Sequence, residues 1–300
     1  MTAAAHSLRY VLVTPARNEE EYLERTIESV VSQTMKPLRW VIVSDGSTDR
    51  TDDIGKRAAA AHSWIELVRM PERRSRDFAG KVGAFNEGRS RLAHLQYDVI
   101  GSLDADVALA PEYFKYLLDR FEEDPKLGLA GTPFDEGGKV YDYRFSSLDH
   151  VSGACQLFRR ACFEQIGGYQ PLEGGGIDVV AVLSARMAGW RTQTFTQMRS
   201  IHLRPMGSAN HRLKVVAFFR LGERAYRLGF HPLWQVCRSI YQLTRRPYVT
   251  GGIALSAGYF TAMIRRMKRP ISKDLIAFQR KDQMRRLRAF LRGRILGDRI

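Results

Sequence analysis

The chain has 300 residues, enough for one large domain or two small ones. Hydrophobic residues make up 44% of it and charged residues 26%, which excludes a disordered protein and predicts a sizeable core. The formal net charge is +15, and residues 265–300 hold 13 Lys and Arg against 3 Asp and Glu. The basic excess is therefore local, which predicts one anionic partner surface.

The cysteines and the N-terminus exclude further classes. Cys155, Cys162 and Cys237 are too few and too scattered for a disulfide framework or a zinc site. We expect them to be reduced, as in a cytosolic protein. Residues 1–9 lack the apolar segment of a secretory signal, so none is expected.

Strands and helices alternate along the first hundred residues. Continuous apolar runs predict buried strands at residues 10–14, 40–43, 66–70 and 99–103. Helical spacing follows the first three of them, with Asn18 as the first N-cap and Asp49, Ser47 or Thr48 as the second. The third helix is predicted over residues 82–95, after a loop. This alternation predicts a doubly wound α/β sheet.

The middle of the chain continues the pattern less regularly. Helices are predicted over residues 111–121, 159–166 and 178–188, and strands over 127–131, 153–158 and 192–196. Residues 132–150 are polar and irregular, which predicts a loop.

Three polar clusters follow predicted strands, at residues 16–19, 45–49 and 104–106. Ligands of doubly wound sheets bind at the carboxyl ends of the strands. Asp104 and Asp106 are one residue apart on a turn, so both carboxylates can face one side. A hard divalent ion such as Mg²⁺ or Mn²⁺ prefers such oxygen ligands and leaves room for substrate phosphates. The alternative is a solvated turn, or a helix cap before Pro111.

Four motifs in order resemble those of a known family. They are Asn18-Glu19, Asp45-Gly46-Ser47-Thr48-Asp49-Arg50-Thr51, Gly80-Lys81-x-x-Ala84-x-Asn86 and Asp104-x-Asp106. Together they look like the inverting family 2 glycosyltransferases with the GT-A fold, over roughly residues 8–205. The resemblance implies a GT-A type, Rossmann-like sheet with helices on both faces. It also implies a nucleotide-sugar donor and a divalent metal, Mg²⁺ or Mn²⁺.

The resemblance also implies roles for the acidic residues of these motifs. Asp106 would hold the metal, Asp104 would lie nearer the ribose, and Asp45 would bind the nucleobase. A metal at this position would stabilise the diphosphate as a leaving group.

Other matching residues would line the same nucleotide pocket, namely Pro15, Asn18 and Glu19. Glu19 is alternatively a first-turn partner of the helix dipole. Lys81 stands where a cation and a helix start suit a phosphate or a sugar hydroxyl, and its alternative is a solvated lysine. The nearby cations at 73, 74 and 76 could also contact phosphate.

Asp178 matches the family's catalytic base, which deprotonates the acceptor hydroxyl. The family usually has Glu before this Asp, whereas this chain has Ile177. The downstream Leu183-x-x-Arg186-x-x-Gly189-Trp190 fits the family pattern. The alternative is a helix N-cap after the glycines at 174–176.

His202 and Arg204 follow the last predicted strand. The resemblance suggests His202 as a third metal ligand through its neutral imidazole, and the alternative is a structural histidine. Arg204 is placed to reach the diphosphate. The Gln-x-x-Arg-Trp motif of processive family members is absent, so we expect a single transfer.

The last third of the chain is apolar and basic together. Helices are predicted over residues 213–228, 233–243 and 271–296, and residues 247–264 carry no charge. That uncharged stretch is at the short limit for spanning a bilayer, and Arg pairs flank both of its ends. We expect an interfacial or re-entrant segment on anionic lipid. The alternatives are a buried core helix, a dimer interface or a nucleic-acid arm.

The sequence thus predicts a GT-A domain over residues 1–212 and a helical, basic, membrane-associating region over 213–300. The predicted enzyme moves a single sugar to a lipid-linked or membrane-presented acceptor in cell-envelope or polysaccharide glycan synthesis. It would be cytoplasmic, peripheral or monotopic on the inner face of the cell membrane, without nucleic acid, and an oligomer stays open. The alternatives are a nucleotidyltransferase, which should have a Gly-rich phosphate loop after the first strand, or a non-catalytic membrane scaffold.

Overall fold

The computed structural model describes residues 8–72, 78–135, 147–172, 174–204 and 211–295. The chain divides into two compact units, Met1–Met206 and Gly207–Ile300. The basic residues at 73, 74 and 76, and residues 136–146 of the predicted loop, lie outside the described residues.

The first unit contains the strands and six helices of the described residues. The strands are β1 Tyr10–Ala16, β2 Arg39–Asp45, β3 Ile65–Met70, β4 Val99–Leu103, β5 Val107–Leu109, β6 Leu127–Gly131, β7 Phe134–Asp135, β8 Cys155–Arg159, β9 Arg191–Thr194 and β10 Ser200–His202. The helices are α1 Leu23–Val31, α2 Thr51–Ala61, α3 Phe78–Arg91, α4 Tyr113–Glu123, α5 Arg160–Gln165 and α6 Ile177–Met187.

Seven strands form one sheet in the order β3-β2-β1-β4-β8-β6-β9. The pairs β1–β2, β1–β4 and β2–β3 are parallel, and β8 runs antiparallel to both β4 and β6. The strand order reverses beside β1, which lies between β2 and β4. The predicted α/β sheet is therefore confirmed, with one reversed strand that makes it mixed. Such a reversal point opens a crevice at the carboxyl ends of the strands.

Helices cover both faces of this sheet. Tyr10 and Leu12 of β1 point into a core with residues of α1, α2 and α4. The alternate residue Val13 points the other way, because side chains alternate along a strand. On that face Val13 and Val43 of β2 pack against α3: a Cβ added at Gly88 of α3 would lie 2.9 Å from Val43 Cγ2. The predicted coverage of both faces is confirmed.

A second, small sheet has the order β5-β10-β7 and was not predicted. Its strands have two or three residues, too few for a periodic pattern. His202 lies within β10 and pairs with Val107 of β5. The prediction that His202 follows the last strand was therefore wrong, since it ends this short strand.

Two predicted helix caps differ from the structure. Asn18 has a φ of +54°, and α1 begins only at Leu23 with Tyr22 as its N-cap. The N-cap assignment of Asn18 was wrong because a separate turn follows β1, in which the amide of Tyr22 donates to the carbonyl of Glu19 (3.1 Å). Asp49 precedes the N-cap of α2 by one residue, yet its Oδ1 still accepts the amide of Thr51 (3.0 Å).

Two site residues lie deeper in their helices than predicted. Lys81 lies in the first turn of α3, which begins at Phe78, and not in a loop before the helix. Asp178 is the second residue of α6, whose N-cap is Gly176 at a φ of +90°. The N-cap alternative for Asp178 was therefore wrong.

The second unit consists of four helices in its described residues: α7 His211–Arg227, α8 Pro232–Leu243, α9 Thr250–Ile264 and α10 Lys273–Ile295. Helices α7 and α9 cross with their backbones in direct contact. A Cβ added at Gly222 of α7 would overlap the carbonyl of Leu255, and one added at Gly258 of α9 would overlap the carbonyl of Phe219. Glycine is therefore required at both positions.

Residues 250–264 of the uncharged stretch form the 15-residue helix α9. Among the helices of the described ranges, none combines the length and the apolar character needed to cross a membrane.

Candidate functional site

A cavity of about 390 Å³ opens in the first unit where β1, β2 and β4 end. Its lining is rich in charged side chains from the polar clusters of the sequence. The lining residues are Pro15, Ala16, Arg17, Glu19, Asp45, Lys81, Asp104, Ala105, Asp106 and Arg204. The structure thus brings most of the predicted pocket residues together. Asn18, Asp178 and His202 are not among the lining residues.

The acidic turn, Asp104-Ala105-Asp106, is fixed by its backbone. The amide of its first residue donates to the carbonyl of Ala154 (2.9 Å). Its middle carbonyl accepts from Thr26 Oγ1 (2.8 Å), and its last carbonyl accepts the amide of Leu203 (2.8 Å). Each residue of the turn is therefore tied to a different part of the fold, which fixes both carboxylates at the rim of the sheet.

Arg204 links two buried carboxylates across the cavity. Its Nε donates to Asp106 Oδ2 (3.0 Å), and its Nη2 donates to Glu19 Oε2. The guanidinium also lies over the ring of Tyr22, 4.9 Å from the centroid. Glu19 is thus an ion-pair partner inside the site, in addition to its place near the start of α1. A guanidinium held in this way can bind two oxygens at once, which suits a diphosphate.

His202 lies next to Asp106, with its Nε2 3.7 Å from Asp106 Oδ1. Its Nδ1 is 2.8 Å from the carbonyl oxygen of Arg204. Because a carbonyl only accepts, Nδ1 carries a proton in this contact, which leaves Nε2 as the ring nitrogen that faces Asp106. Metal-binding histidines are commonly oriented by this kind of backbone contact.

The residues around Asp106 fit a divalent metal as a partial ligand set. Within the described residues, no group of three or more His, Cys, Asp or Glu side chains converges as a complete metal site. Mg²⁺ sites use one or two carboxylates, with substrate phosphates and water in the remaining positions. The oxygens of Asp106 and the Nε2 of His202 match that chemistry, and Asp104 lies one turn residue away.

Lys81 and Asp104 form an ion pair through Nζ and Oδ1. Burial lowers the pKa of Lys81, but the neighbouring carboxylates of Asp104, Asp178 and Asp106 outweigh it and raise that pKa above its ordinary value. Burial raises the pKa of Asp104, and the charge of Lys81 opposes that rise. Lys81 therefore remains a cation beside the acidic turn.

Asp45 lies at the end of β2 with Arg17 beside it, at 3.9 Å between Nη1 and Oδ2. Both side chains are mostly shielded from solvent. Sequence reasoning did not single out Arg17. The available signal was its position, since it stands in the motif between Pro15 and Asn18 where β1 ends.

Asn18 connects the first two loops and does not line the cavity. Its Oδ1 accepts the amide of Thr48 (2.9 Å), and its own amide donates to Ser47 Oγ (3.2 Å). The amide of Glu19 also donates to Thr51 Oγ1 (2.8 Å), which links the same two segments of the chain. The left-handed backbone at Asn18 turns its side chain towards this neighbouring loop and away from the cavity.

Asp178 packs against Gly153, where an added Cβ would lie 3.1 Å from Asp178 Cβ and 3.3 Å from its Oδ2. Its carboxylate is close enough to Lys81 to contribute to the raised pKa of that lysine. The charge of Asp178 therefore acts on Lys81, the lysine that pairs with the acidic turn. The residue before it, Ile177, is buried.

A buried polar network involves Tyr169 and Gln156. The Tyr169 hydroxyl donates to Gln156 Oε1 (2.7 Å), and Gln156 Nε2 donates to the carbonyl of Val151 (3.0 Å). Burial raises the pKa of Tyr169 well above its ordinary value, so the phenol stays neutral. Neither Gln156 nor Tyr169 was identified from the sequence, because buried polar residues of a strand and a loop carry no local pattern.

Comparison with known proteins places this arrangement among sugar transferases. The model of the family described as glycosyl transferase family 2 matches residues 11–168. The poly-beta-1,6-N-acetyl-D-glucosamine synthase of Staphylococcus aureus strain COL is 26% identical over 170 residues, covering 50% of this chain and 39% of that protein. The Staphylococcus epidermidis enzyme of the same name matches to the same extent. The chain therefore spans well under half of these relatives.

Solved structures show the same fold. The mannosyltransferase PcManGT from Pyrobaculum calidifontis, in complex with GDP-Man and Mn²⁺, superposes with a TM-score of 0.57 at 18% identity, covering 90% of this chain and 78% of that one. S. aureus TarS in complex with UDP-GlcNAc gives 0.53 at 12% identity, covering 91% and 78%. These likenesses show a GT-A type α/β fold with a mixed sheet.

Proposed function

The chain belongs to glycosyl transferase family 2, and from that premise we propose that it moves a single sugar from a nucleotide-sugar donor, with inversion, to a lipid-linked or membrane-presented acceptor. The observation that supports this proposal most directly is the cavity at the strand ends. Its charged lining residues include Glu19, Asp45, Lys81, Asp104, Asp106 and Arg204. The product would belong to cell-envelope or polysaccharide glycan synthesis.

The donor would lie along the cavity from β2 to the acidic turn. Asp45, with Arg17 beside it, would receive the nucleobase, and Asp104 would bind the ribose. Lys81 and Arg204 would contact the diphosphate, because each forms an ion pair with a carboxylate of the acidic turn. Pro15 and Glu19 would complete the nucleotide wall.

Asp106, with His202 and Asp104, would hold a divalent cation, Mg²⁺ or Mn²⁺. When bound, that ion would neutralise developing charge on the departing diphosphate. The charge balance of the lining supports this. Among the described lining residues, three cations (Arg17, Lys81, Arg204) face four carboxylates (Glu19, Asp45, Asp104, Asp106), so these side chains together carry no excess positive charge for a diphosphate. The charge of the ion would supply it.

Asp178 would act as the general base. Its carboxylate would take the proton of the acceptor hydroxyl while that oxygen bonds to the anomeric carbon and the nucleoside diphosphate leaves from the opposite side. The fit of Asp178 against Gly153 supports a fixed carboxylate here.

The acceptor would be presented at a membrane. The last 36 residues carry the basic excess, and the helical unit would hold the protein, as a peripheral or monotopic protein, on the cytoplasmic face of the cell membrane. UDP-GlcNAc and GDP-Man, the donors in complexes of TarS and PcManGT, are the first donors to test. The absence of a Gln-x-x-Arg-Trp motif supports a single transfer.

A product assay with a panel of nucleotide sugars, with and without Mn²⁺, tests the proposal. We expect one donor to release its nucleoside diphosphate, and EDTA or Asp106→Ala to abolish that release. The matched control is Asp53→Ala, which removes an exposed carboxylate of α2 outside the cavity. Activity that survives both EDTA and Asp106→Ala would contradict the metal role. Release of pyrophosphate from a nucleoside triphosphate supplied with a sugar 1-phosphate would indicate a nucleotidyltransferase, and calorimetry showing no nucleotide binding at all would indicate a scaffold.

A further inference from the structure

Exposed apolar side chains are concentrated in the second unit. Among the described residues, ten of the fourteen large exposed apolar side chains lie between residues 216 and 291. This unit contains less than a third of the chain, so the concentration exceeds the scatter expected on a soluble surface.

Helix α9 is apolar on both its buried and its exposed sides. Its inner side packs on α7 and α8 through Leu255 and Tyr259, which are buried. Its outer side carries a row at positions i, i+4, i+7 and i+11, formed by Ile253, Ala257, Phe260 and Ile264. Ile253 is 59% exposed and Ile264 is 78% exposed. A helix that is apolar all round is expected to be covered on every side.

The outer row continues beyond the start of the helix. Tyr248 and Val249, which precede α9, are 59% and 54% exposed. The row from Ile253 to Ile264 extends about 17 Å along the helix axis, at 1.5 Å per residue. We call these six residues, Tyr248, Val249, Ile253, Ala257, Phe260 and Ile264, the α9 outer surface.

Exposed cations flank both ends of the α9 outer surface. Arg246 lies before it, and Arg265, Arg266 and Lys268 follow it, all of them exposed. Residues 224–273 contain ten Lys and Arg and no Asp or Glu. A second copy docking through this surface would use the same patch on both chains, so it would bring like charges together. Anionic lipid offers apolar chains and opposite charges at once.

We propose that the α9 outer surface docks the protein on an anionic lipid bilayer, with α9 lying in the interface and its flanking cations on the headgroups. This inference rests on the membrane-presented acceptor proposed above and specifies which surface makes the contact. Tyr248 suits the headgroup level, where amphipathic aromatic rings accumulate.

Vesicle flotation of the full chain tests this surface. We expect the wild type to float with phosphatidylglycerol-containing vesicles, less as salt rises, and much less with pure phosphatidylcholine. Ile253→Gln/Ile264→Gln should lower the partition coefficient at least tenfold. The matched control is Leu38→Gln/Leu148→Gln, which changes two exposed leucines of the first unit and should float like the wild type.

A second double variant distinguishes a loss of lipid contact from a folding defect in the first. Arg265→Gln/Lys268→Gln changes only exposed cations, and it should lower partitioning about fivefold per charge at low salt and hardly at all at high salt. Circular dichroism should show unchanged helix content for all variants. Brominated acyl chains should quench a larger share of tryptophan fluorescence in Ile253→Trp than in the wild type, which has four tryptophans, whereas Leu38→Trp should show no such increase.

Each outcome separates the surface from the function. If Ile253→Gln/Ile264→Gln floats like the wild type, the α9 outer surface is wrong while membrane association stands. If the wild type does not float, both membrane association and the role of the α9 outer surface are rejected. Sugar transfer to a soluble acceptor analogue would still test the enzyme. If the double variant abolishes a concentration-dependent dimer and vesicles are not bound, the surface contacts a second copy and the proposal is overturned.

Discussion

Gly153 and Asp178 are in direct contact, and the glycine leaves the space that the carboxylate occupies. A methyl group at position 153 would lie 3.1 Å from Asp178 Cβ, tighter than side chains normally pack. We therefore expect Gly153→Ala to displace Asp178 by a few tenths of an ångström. Catalysis is sensitive to such shifts, so kcat should fall about tenfold or more while donor affinity stays unchanged. Steady-state kinetics and calorimetry with the donor measure the two quantities.

Gly83→Ala is the matched control for this substitution. Gly83 lies within α3, and a Cβ added there would meet nothing within 4 Å. This change should leave kcat unaltered and stabilise the protein by about 0.5–1 kcal/mol, because alanine favours the helix. Equal losses of kcat in the two variants would show that the contact between Gly153 and Asp178 is irrelevant to transfer.

Arg204→Gln should weaken donor binding by about 1.5–3 kcal/mol, roughly ten- to a hundredfold. The substitution removes a cation that contacts Asp106 and Glu19 and leaves both of these buried carboxylates without it. Arg204→Lys should recover only part of the affinity, since an ammonium lacks the planar fork. Isothermal calorimetry with the nucleoside diphosphate measures the effect.

Arg57→Gln serves as the control for Arg204→Gln, because Arg57 forms an ion pair with Glu24 in which both side chains are exposed. It should change donor affinity by less than about twofold. Wild-type affinity in Arg204→Gln would remove this arginine from the diphosphate site.

Asp49 should contribute stability that depends on pH. Partial burial raises its pKa, but hydrogen bonds from the amides of Thr51 and Glu20 prevail and hold that pKa below its usual value. A carboxylate with a lowered pKa stabilises the fold above its unfolded pKa of about 3.9, and this contribution is lost as pH falls through the lowered value. Asp49→Ala should cost about 1 kcal/mol at pH 7, because it removes the acceptor of two amide hydrogen bonds.

Thermal melts of the wild type and Asp49→Asn from pH 7 to pH 3 measure this contribution. The gap between their melting temperatures should be widest near neutrality and should narrow below about pH 4. Asp53→Asn, at an exposed position of the same helix, should show no such narrowing. A gap that widens towards acid would contradict the sign of the shift.

Gly258→Ala should separate α7 from α9. The added Cβ would overlap a backbone carbonyl, which cannot move aside as a side chain can, so we expect a loss of about 3 kcal/mol or more. Hydrogen exchange of α7 and α9 amides should accelerate while β1 and β4 stay protected. Gly251→Ala is the milder comparison, because its Cβ would lie 3.2 Å from the end of the Gln242 side chain and 3.3 Å from the Pro247 ring, without overlapping a backbone atom.

The long strands could be predicted because each is a continuous apolar run. The polar residues that follow these runs include most of the residues that line the cavity. Leu12 and Val13 of β1 point to opposite faces and are both fully buried, so burial on both faces left a clear local signal. The small sheet left none, since β5 and β10 are three residues each and pair across about ninety residues of chain. Their pairing is decided by the surrounding fold.

Other features were set by contacts between distant residues. Lys81 was assigned to the loop before the helix predicted at residues 82–95 because it follows Gly80, and glycine weakens helix propensity. The close packing of α3 on the sheet at Gly88 overrides that weakness. Asn18 was read as a cap because its residue type favours caps, whereas its left-handed backbone directs it to the loop after β2.

The reversed direction of β8 has a consequence for how acceptor preference could diversify. Because β8 runs against β4, the chain enters it at the edge of the sheet where β4 ends, so residues 147–154 reach the catalytic edge without interrupting a parallel strand. With Asp178 and Asp45 in the roles proposed above, exchange of this entry segment between relatives would alter the acceptor side of the site and leave the nucleotide side intact. A chimera that retains its donor and changes its acceptor is therefore an attainable engineering goal, provided that glycine is kept at position 153.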